Sequence, residues 1–238
     1  METKNQYVIY PHPENEENQA NLTPQDKLVY LAIRRYMNKD TMEAFPSYER
    51  LKADIKAVPR TIKKCVDNLV REGYLETEKR GRSIVYKFNN QKKFEVFSYD
   101  FLDKEDLTFT EKAYIIASQQ YMFKDEPGIG KITLSSQDLA KRINMPESTI
   151  SKCNKSLTAK DYLSIIRCNK RDEETGVVIQ EKIFHLDELG QAVIWALHNH
   201  EERITNNEKT LNRALDEIAK LKAELQELRC EKIQTITL

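Results

Sequence analysis

The feature that most constrains the fold is an internal repeat. Residues 58–69 and 145–157 are similar, and from Thr61 onward the two copies register at an offset of 88 residues. The likeness extends upstream, where residues 22–27 correspond to residues 107–112 at an offset of 85. Each copy spans about 80–90 residues, which is a usual size for a domain. The repeat therefore predicts two similar domains rather than a solenoid of many short units.

The first copy begins with clear signals for a helix. Thr23 can cap this helix, with Pro24 at the first helical position and Asp26 three residues after the cap. Apolar residues then recur at helical spacing over residues 27–36, which predicts an amphipathic helix with one buried face. Ser47 is a good cap for a second, shorter helix.

The third predicted helix has an apolar face and a basic face. Pro59 is tolerated only near a helix start, so the helix begins there. Ile62, Val66 and Leu69 form a buried stripe, with Cys65 beside them. The candidates for DNA contact lie on the other face and are Arg60, Thr61, Lys63, Lys64 and Asn68. The alternative is that these residues are the solvated face of a core helix.

A basic turn follows the third helix. Gly73 and Tyr74 end the helix, Leu75 opens a strand, and residues 84–88 form the returning strand. The turn between the strands supplies candidates for contact with phosphate or the minor groove, namely Lys79, Arg80 and Arg82. The alternative is a turn that serves solubility only. Two helices, a turn, a basic helix and a β-hairpin are the order of a winged helix-turn-helix domain.

The second copy repeats this order with a weaker basic character. Ile150 and Leu157 give the buried stripe, and a longer hairpin runs from Ile165 to Phe184. The candidate DNA contacts of this copy are Ser148, Ser151, Lys152 and Lys155 on the helix and Lys170 and Arg171 on the wing. Glu147 would repel phosphate, although a carboxylate can accept a hydrogen bond from cytosine. Weak DNA binding or a purely structural role is as well supported as readout of bases.

Four short runs of the first copy resemble a known family. They are Leu22-Thr23-Pro24-x-x-Lys27, Phe45-Pro46-Ser47-Tyr48-x-x-Leu51, Pro59-Arg60-Thr61-Ile62 and Leu69-x-x-x-Gly73-Tyr74-Leu75. They look like the phage- and plasmid-associated winged helix-turn-helix domains that occur in bacterial regulators and in replication initiation proteins. The second copy matches the layout and departs from it at Thr133-Leu134-Ser135. The resemblance covers about two thirds of the chain and implies binding to double-stranded DNA.

Charge is unevenly distributed along a chain whose formal net charge is zero. Residues 22–90 hold 15 Lys and Arg against 9 Asp and Glu, a net charge of +6. Residues 107–186 hold 12 against 10, a net of +2, and residues 187–238 hold 7 against 10, a net of −3. The basic excess on the first copy favours that copy as the one that meets a polyanion.

Several classes of function are disfavoured. The four cysteines show no Cys-x-x-Cys spacing, which argues against a zinc or disulfide framework. Cys65 and Cys153 recur at matching positions of the two copies, so a pair of redox-sensing thiols is one hypothesis. The alternative is core packing, because free cysteine is usually buried. No apolar run approaches the roughly 20 residues of a membrane span, and no phosphate-binding loop or catalytic constellation is present. We expect a cytoplasmic protein that is not an enzyme and has no cofactor, metal or membrane contact.

The C-terminal region carries heptads from residue 197 onward. Apolar residues occupy most a and d positions over more than four heptads, with charged residues between them, which is typical of a coiled coil. The predicted oligomerisation residues are Leu197, Ile204, Asn207, Leu211, Ile218, Leu221, Leu225 and Leu228. Asn207 would set the register of the seam. The alternative is a helix that folds back onto its own domains.

The predicted fold is mainly α with small β-hairpin wings. It comprises tandem winged helix-turn-helix domains followed by a coiled-coil helix. Residues 1–21 form an N-terminal arm with a short strand, residues 22–90 the first domain and residues 91–106 a linker with a strand. Residues 107–189 form the second domain, and residues 190–238 form the C-terminal helix.

These observations predict a homodimer that binds double-stranded DNA in a sequence-specific way. Its partners are then duplex DNA and a second copy of the chain. A transcription regulator is the first interpretation, and a phage or plasmid replication initiation protein that binds origin repeats is the alternative. Each implies contact with the transcription or replication machinery. A DNA-packaging or scaffold oligomer, assembled by the coiled coil, is a third hypothesis.

Overall fold

The structure is a computed structural model that describes residues 7–12, 22–89, 93–124, 128–171 and 178–191, together with Lys220. The chain divides into two units, Met1–Trp195 and Ala196–Leu238. All the elements named below belong to the first unit. The predicted heptad residues between 197 and 228 lie outside the described residues, so the coiled coil stays a prediction.

The first unit contains two successive sets of elements. The first set is β1 Tyr7–His12, α1 Pro24–Arg34, β2 Glu43–Ala44, α2 Tyr48–Ile55, α3 Pro59–Arg71, β3 Leu75–Arg80 and β4 Ser83–Phe88. The second set is β5 Lys93–Ser98, α4 Tyr99–Leu102, α5 Phe109–Ser118, β6 Ile129–Ile132, α6 Ser136–Ile143, α7 Glu147–Ala159, β7 Leu163–Arg171 and β8 Val178–His185. Apart from the short α4, the elements of the two halves follow one another in the same order.

The strands form three small antiparallel sheets. β1 pairs with β5, so the strand at the start of each half pairs with its counterpart in the other half. β3 and β4 form the predicted hairpin of the first half, and β2 adds to it in the order β2-β4-β3. β6, β8 and β7 form the corresponding sheet of the second half. The short strands β2 and β6 were not anticipated from the sequence.

The first helix of each half starts with a capping box. The hydroxyl of Thr23 accepts a hydrogen bond from the backbone of Asp26, and the Asp26 carboxylate accepts one from the backbone of Thr23 at 2.8 Å. Thr108 and Glu111 make the same exchange at the start of α5, with a distance of 2.7 Å from the Thr108 amide to the Glu111 carboxylate. The predicted start of α1 is confirmed, because the sequence supplies local partners for the orphan amides of the first turn.

The prediction of an amphipathic first helix was wrong. All six residues from Leu28 to Ile33 are buried, although the sequence pattern assigned only one face of the helix to the core. The physical reason is that α1 packs against α5 of the second half as well as against α2, α3 and β1 of its own half. α5 is buried in the same way, from Glu111 to Ser118. A helix that is covered on all sides belongs to an interior and not to a surface.

Both halves therefore share one continuous apolar core. Polar contacts reinforce the junction between them. The guanidinium of Arg35, which follows α1, forms a bidentate ion pair with Asp103 of the second half, with one N–O distance of 2.8 Å. The Lys56 ammonium donates a hydrogen bond to the carbonyl of Glu105 at 2.8 Å. The segment predicted as a linker is thus anchored to the first half.

The described part of the second half makes contacts up to Gln191. The side-chain carbonyl of Gln191 accepts a hydrogen bond from the backbone of Ser98 at 3.3 Å, and the Ser98 hydroxyl donates to the carbonyl of Gly190. Gln191 is fully buried. Gly190 and Gln191, which follow the predicted end of the second domain at Leu189, therefore contact β5. None of the described helices is long and apolar enough to span a bilayer.

We expect Asp26→Ala to lower the free energy of unfolding by about 1–2 kcal/mol, because it removes the capping box of a helix that is central to the core. Denaturation in urea measures this change. Asp40→Ala is the matched control, since Asp40 is an exposed loop residue whose loss should change stability by less than about 0.5 kcal/mol. Equal stability of the two variants would contradict the structural role of Asp26.

Candidate nucleic-acid interface

Helix α3 presents a basic face to solvent at its N-terminal end. Val58 precedes the helix with extended backbone, and Pro59 occupies the first position, as predicted. The stripe of Ile62, Val66 and Leu69 is buried, with Cys65 beside it. These apolar contacts fix the rotation of the helix about its axis. The polar side chains of the first turns must therefore point away from the core.

Arg60, Lys63 and Lys64 are exposed and make up what we call the α3 basic face. Thr61 is half-buried beside them. In the described part of the chain, no hydrogen bond or ion pair engages the charged groups of this face. Three cations with no partner among the described residues, held within two turns of one helix, form a local concentration of positive charge. Such a surface attracts polyanions.

Asn68 does not belong to this face, contrary to the prediction. Its side-chain amide points inward and donates to the two carboxylate oxygens of Asp26, each at 3.4 Å. The second half contains an analogous contact, because Ser156 hydrogen-bonds Glu111, the capping residue of α5. In each half the capping carboxylate thus connects the start of the first helix to the third helix. Asn68 positions α3 rather than extending its exposed surface.

The wing of the first half is a tight β-hairpin. Arg80 pairs with Ser83 across the end of the hairpin, which leaves Gly81 and Arg82 at the tip. Gly81 has a φ of 62°, a left-handed conformation that glycine adopts without steric cost. Lys79 and Arg82 are exposed. Both side chains are open to solvent, and their contact with phosphate stays a prediction.

Arg80, by contrast, is engaged within the protein. Its guanidinium donates to both carboxylate oxygens of Glu43 at 2.8 and 3.0 Å, and to Glu78 at 3.1 Å. Lys87 joins this network through an ion pair of 2.9 Å with Glu78. Hydrogen bonds from Arg80 and Lys87 lower the pKa of Glu78 to about 2, so the carboxylate stays charged at neutral pH. Arg80 therefore connects β2 to the hairpin.

The second half exposes a less basic helix. Ser148, Ser151, Lys152 and Lys155 are all exposed on α7, as predicted, and so is Glu147 at the first helical position. The side chains of Lys170 and Arg171, the predicted wing contacts, lie outside the part of the structure that is described. The α7 surface mixes hydroxyls, two cations and one carboxylate. It is therefore less attractive to a polyanion than the α3 basic face.

The sequence interpretation missed a groove beside the N-terminus of α2. Its lining residues are Tyr36, Phe45, Pro46, Ser47 and Arg50. Phe45 is half exposed, with 51% of its surface accessible. Arg50 donates to the Tyr36 hydroxyl at 2.6 Å, and its guanidinium lies 5.6 Å from the centre of the Tyr36 ring. No signal in the sequence distinguished these residues as the lining of a groove.

Cys65 and Cys153 are both buried, which confirms the prediction of core packing. Burial raises the pKa of the Cys153 thiol to about 11 and also raises the pKa of the Cys65 thiol. Because the thiolate is the reactive form, both groups are protonated and unreactive at neutral pH. Among the described residues, no group of three or more His, Cys, Asp or Glu side chains is arranged to hold a metal ion.

A family model described as a helix-turn-helix domain matches residues 20–75. The matched segment runs from the capping box of α1, through α2 and α3, to the first residue of β3, and it includes the whole α3 basic face. A helix-turn-helix domain supports binding to DNA. A comparison with curated proteins found no match to the chain.

We expect Cys65 and Cys153 to resist thiol reagents at pH 8 in the folded protein. The measurement uses a variant with Cys168→Ser and Cys230→Ser, so that only the two buried thiols remain. Fewer than about 0.1 thiols per chain should react rapidly in buffer, because burial disfavours the thiolate, and both should react in denaturant. Rapid modification of either thiol in the folded protein would support the redox-sensor alternative.

Proposed function

We propose that this protein binds double-stranded DNA in a sequence-specific way, with α3 as the reading helix of its helix-turn-helix domain. The observation that carries the proposal is the α3 basic face, formed by Arg60, Lys63 and Lys64 at the exposed start of a helix whose other side is fixed in the core. The start of a recognition helix is the part that meets base edges in the major groove. Arg60 and Lys64 are suited to guanine, which offers two acceptors there.

The wing supplies contacts that position the domain. Lys79 and Arg82 lie at or near the tip of the hairpin, next in the chain after α3, and both are exposed. Contacts from such cations to phosphate fix the register of a protein on the duplex but carry no sequence information. Lys63 and Thr61 add polar contacts beside the readers. In this scheme Arg80 holds the wing in place through Glu43 and does not reach DNA.

The second half is proposed to be a second winged helix-turn-helix domain. It has the same order of elements, a capping box on α5, and a Ser135 cap on α6 that corresponds to Ser47 of the first half. Ser148, Ser151, Lys152 and Lys155 would contact DNA from α7, and Lys170 and Arg171 from the wing. With fewer cations, this half contributes less affinity than the first.

The heptads of residues 197–228 are proposed to form a parallel coiled coil that makes the protein a homodimer. A dimeric DNA-binding protein of this kind is best suited to transcription regulation at an operator. The alternative is a phage or plasmid replication initiation protein, which the presence of two candidate reading helices in one chain favours, because origins contain several sites. Footprinting on the source genome separates the two, since an operator gives a protected region at a promoter and an origin gives repeated sites.

We expect Arg60→Ala and Lys64→Ala each to weaken binding to the specific duplex by roughly 1–3 kcal/mol, because each removes a contact to a base edge. Fluorescence anisotropy with a specific and a scrambled duplex measures the two affinities. The loss should be confined to the specific duplex. Equal losses on both duplexes would mean that α3 contributes charge but does not read sequence.

Two further variants serve as controls for this experiment. Arg71→Ala removes an exposed cation from the opposite end of α3, where it pairs with Glu72, and should leave specificity unchanged. Arg82→Ala, on the wing, should weaken the specific and the scrambled duplex equally. Binding should also fall with salt, with a slope of log affinity against log salt of about −0.9 for each phosphate contacted.

We expect a chain that ends at Trp195 to sediment as a monomer, whereas the full chain sediments as a dimer. The reason is that the truncation removes every predicted heptad but retains Gly190 and Gln191, which contact β5. In a dimer, binding of one chain to DNA brings the second chain close to its own site. Without the dimer this advantage is lost, so DNA affinity should fall by a factor on the order of 10²–10⁴. Circular dichroism checks that the shorter chain is folded. Equal masses, after allowance for the deleted residues, would refute the coiled-coil dimer.

A further inference from the structure

The pairing of β1 with β5 has the symmetry of the sequence repeat. The two strands are antiparallel, and Tyr10 lies directly opposite Glu95. When the offset of 85 residues, which registers residues 22–40 with residues 107–125, is extended to the strands, the residue that corresponds to Tyr10 is Glu95. Opposed residues at the centre of an antiparallel pair are related by a local two-fold axis. The axis that exchanges the two strands therefore also exchanges the two copies of the repeat.

The first helices obey the same relation. α1 and α5 occupy equivalent places in their halves, and each packs against the other. Packing of two equivalent elements on each other is the arrangement expected around a two-fold axis, as in the isologous interface of a homodimer. The pairing of β1 with β5 and the packing of α1 on α5 are two separate observations that point to the same two-fold relation between the halves. The two halves resemble a dimer whose subunits are joined in one polypeptide.

The junction between the halves is held in several ways. The α1–α5 contact lies within a continuous core, and the ion pair between Arg35 and Asp103 and the hydrogen bond from Lys56 to Glu105 cross between the halves. In addition, the Tyr99 hydroxyl donates to the carbonyl of Arg35 at 3.2 Å. Because the core and these polar contacts act together, the spacing and orientation of α3 relative to α7 are fixed within the unit.

The two third helices are equivalent in place but different in chemistry. Arg60 corresponds to Ser148 and Lys63 corresponds to Ser151, while Lys64 corresponds to Lys152, a cation in both copies. Asp67 of α3 is replaced by Lys155 in α7. All of the α7 residues named here are exposed. Side chains that differ at equivalent positions present different hydrogen-bond donors to base edges, so the two helices cannot prefer the same sequence.

We propose that a single chain reads two unequal boxes in inverted orientation on one duplex, the first with α3 and the second with α7. The inference rests on the proposed function, since it assigns the class of DNA that the same protein recognises. Two reading helices related by a two-fold axis bind the duplex as the two recognition helices of a dimeric repressor bind its half-sites. Their boxes are therefore inverted, and the box centres lie about 10–10.5 base pairs apart or a multiple of that. The two boxes differ because the readers differ.

The test uses the full chain and starts with selection of its site from random duplex DNA. Each box of the selected site is then scrambled in turn. Arg60→Ala should lower affinity about tenfold when the first box is intact and have no effect when that box is scrambled. Lys152→Ala should show the same dependence on the second box. The controls are Arg71→Ala and Thr158→Ala, which alter exposed positions at the far ends of α3 and α7.

The spacing between the boxes gives a second readout. Insertion of five base pairs rotates the second box to the opposite side of the helix, so affinity should fall to that of a duplex with one box scrambled. A site of two identical boxes that both depend on Arg60, with no effect of Lys152→Ala, would mean that two chains each read with α3. That result would overturn the inference and leave the proposed function intact. No preference for any sequence in the selection would overturn both.

Discussion

The packing of α1 against α5 is the contact on which the rest of the structure depends. Each helix forms the inner wall of its own half and is covered on its remaining side by the other half. β1 and β5 form a two-stranded sheet beside this contact, so each half also completes a sheet for the other. An isolated half would expose an apolar helix and an unpaired strand, both of which are unfavourable in water. The repeat is therefore a single core with two outward-facing third helices.

The capping carboxylates of α1 and α5 hold the third helices in place against this core. Asp26 is fully buried, yet it serves both the backbone of Thr23 and the side chain of Asn68. Glu111 occupies the same place in the second half, where the ammonium of Lys160 also donates to it at 2.8 Å. Buried carboxylates are tolerated when they are fully hydrogen-bonded. Because the same carboxylate caps the start of the first helix and accepts from the third, movement of α3 against α1 would cost Asp26 its hydrogen bonds from Asn68.

Local features could be predicted from the sequence, and features that depend on distant partners could not. The capping box at Thr23, the start of α3 at Pro59 and the burial of Cys65 follow from residues within one or two turns. Asn68 and Arg80 looked equally suited to DNA, but their partners lie 42 and 37 residues away in the sequence. The covering of α1 was missed although the six consecutive apolar residues from Leu28 to Ile33 are typical of a helix buried on all sides. What the sequence pattern could not show is that α5 is the element that covers it.

The position of each charge matters more than the net count for the candidate interface. Residues 22–90 carry a formal excess of +6, yet Arg80 is neutralised by Glu43 and Glu78, and Arg71 is paired with Glu72. Arg60, Lys63 and Lys64 of the α3 basic face, with Lys79 and Arg82 of the wing, are among the exposed cations that no ion pair neutralises within the described residues. Arg80 still matters to this surface, because its two hydrogen bonds to Glu43 tie the end of the hairpin to β2. The result is a wing tip held in a fixed position beside the domain that bears α3, which is the condition under which phosphate contacts can set the register of a reading helix.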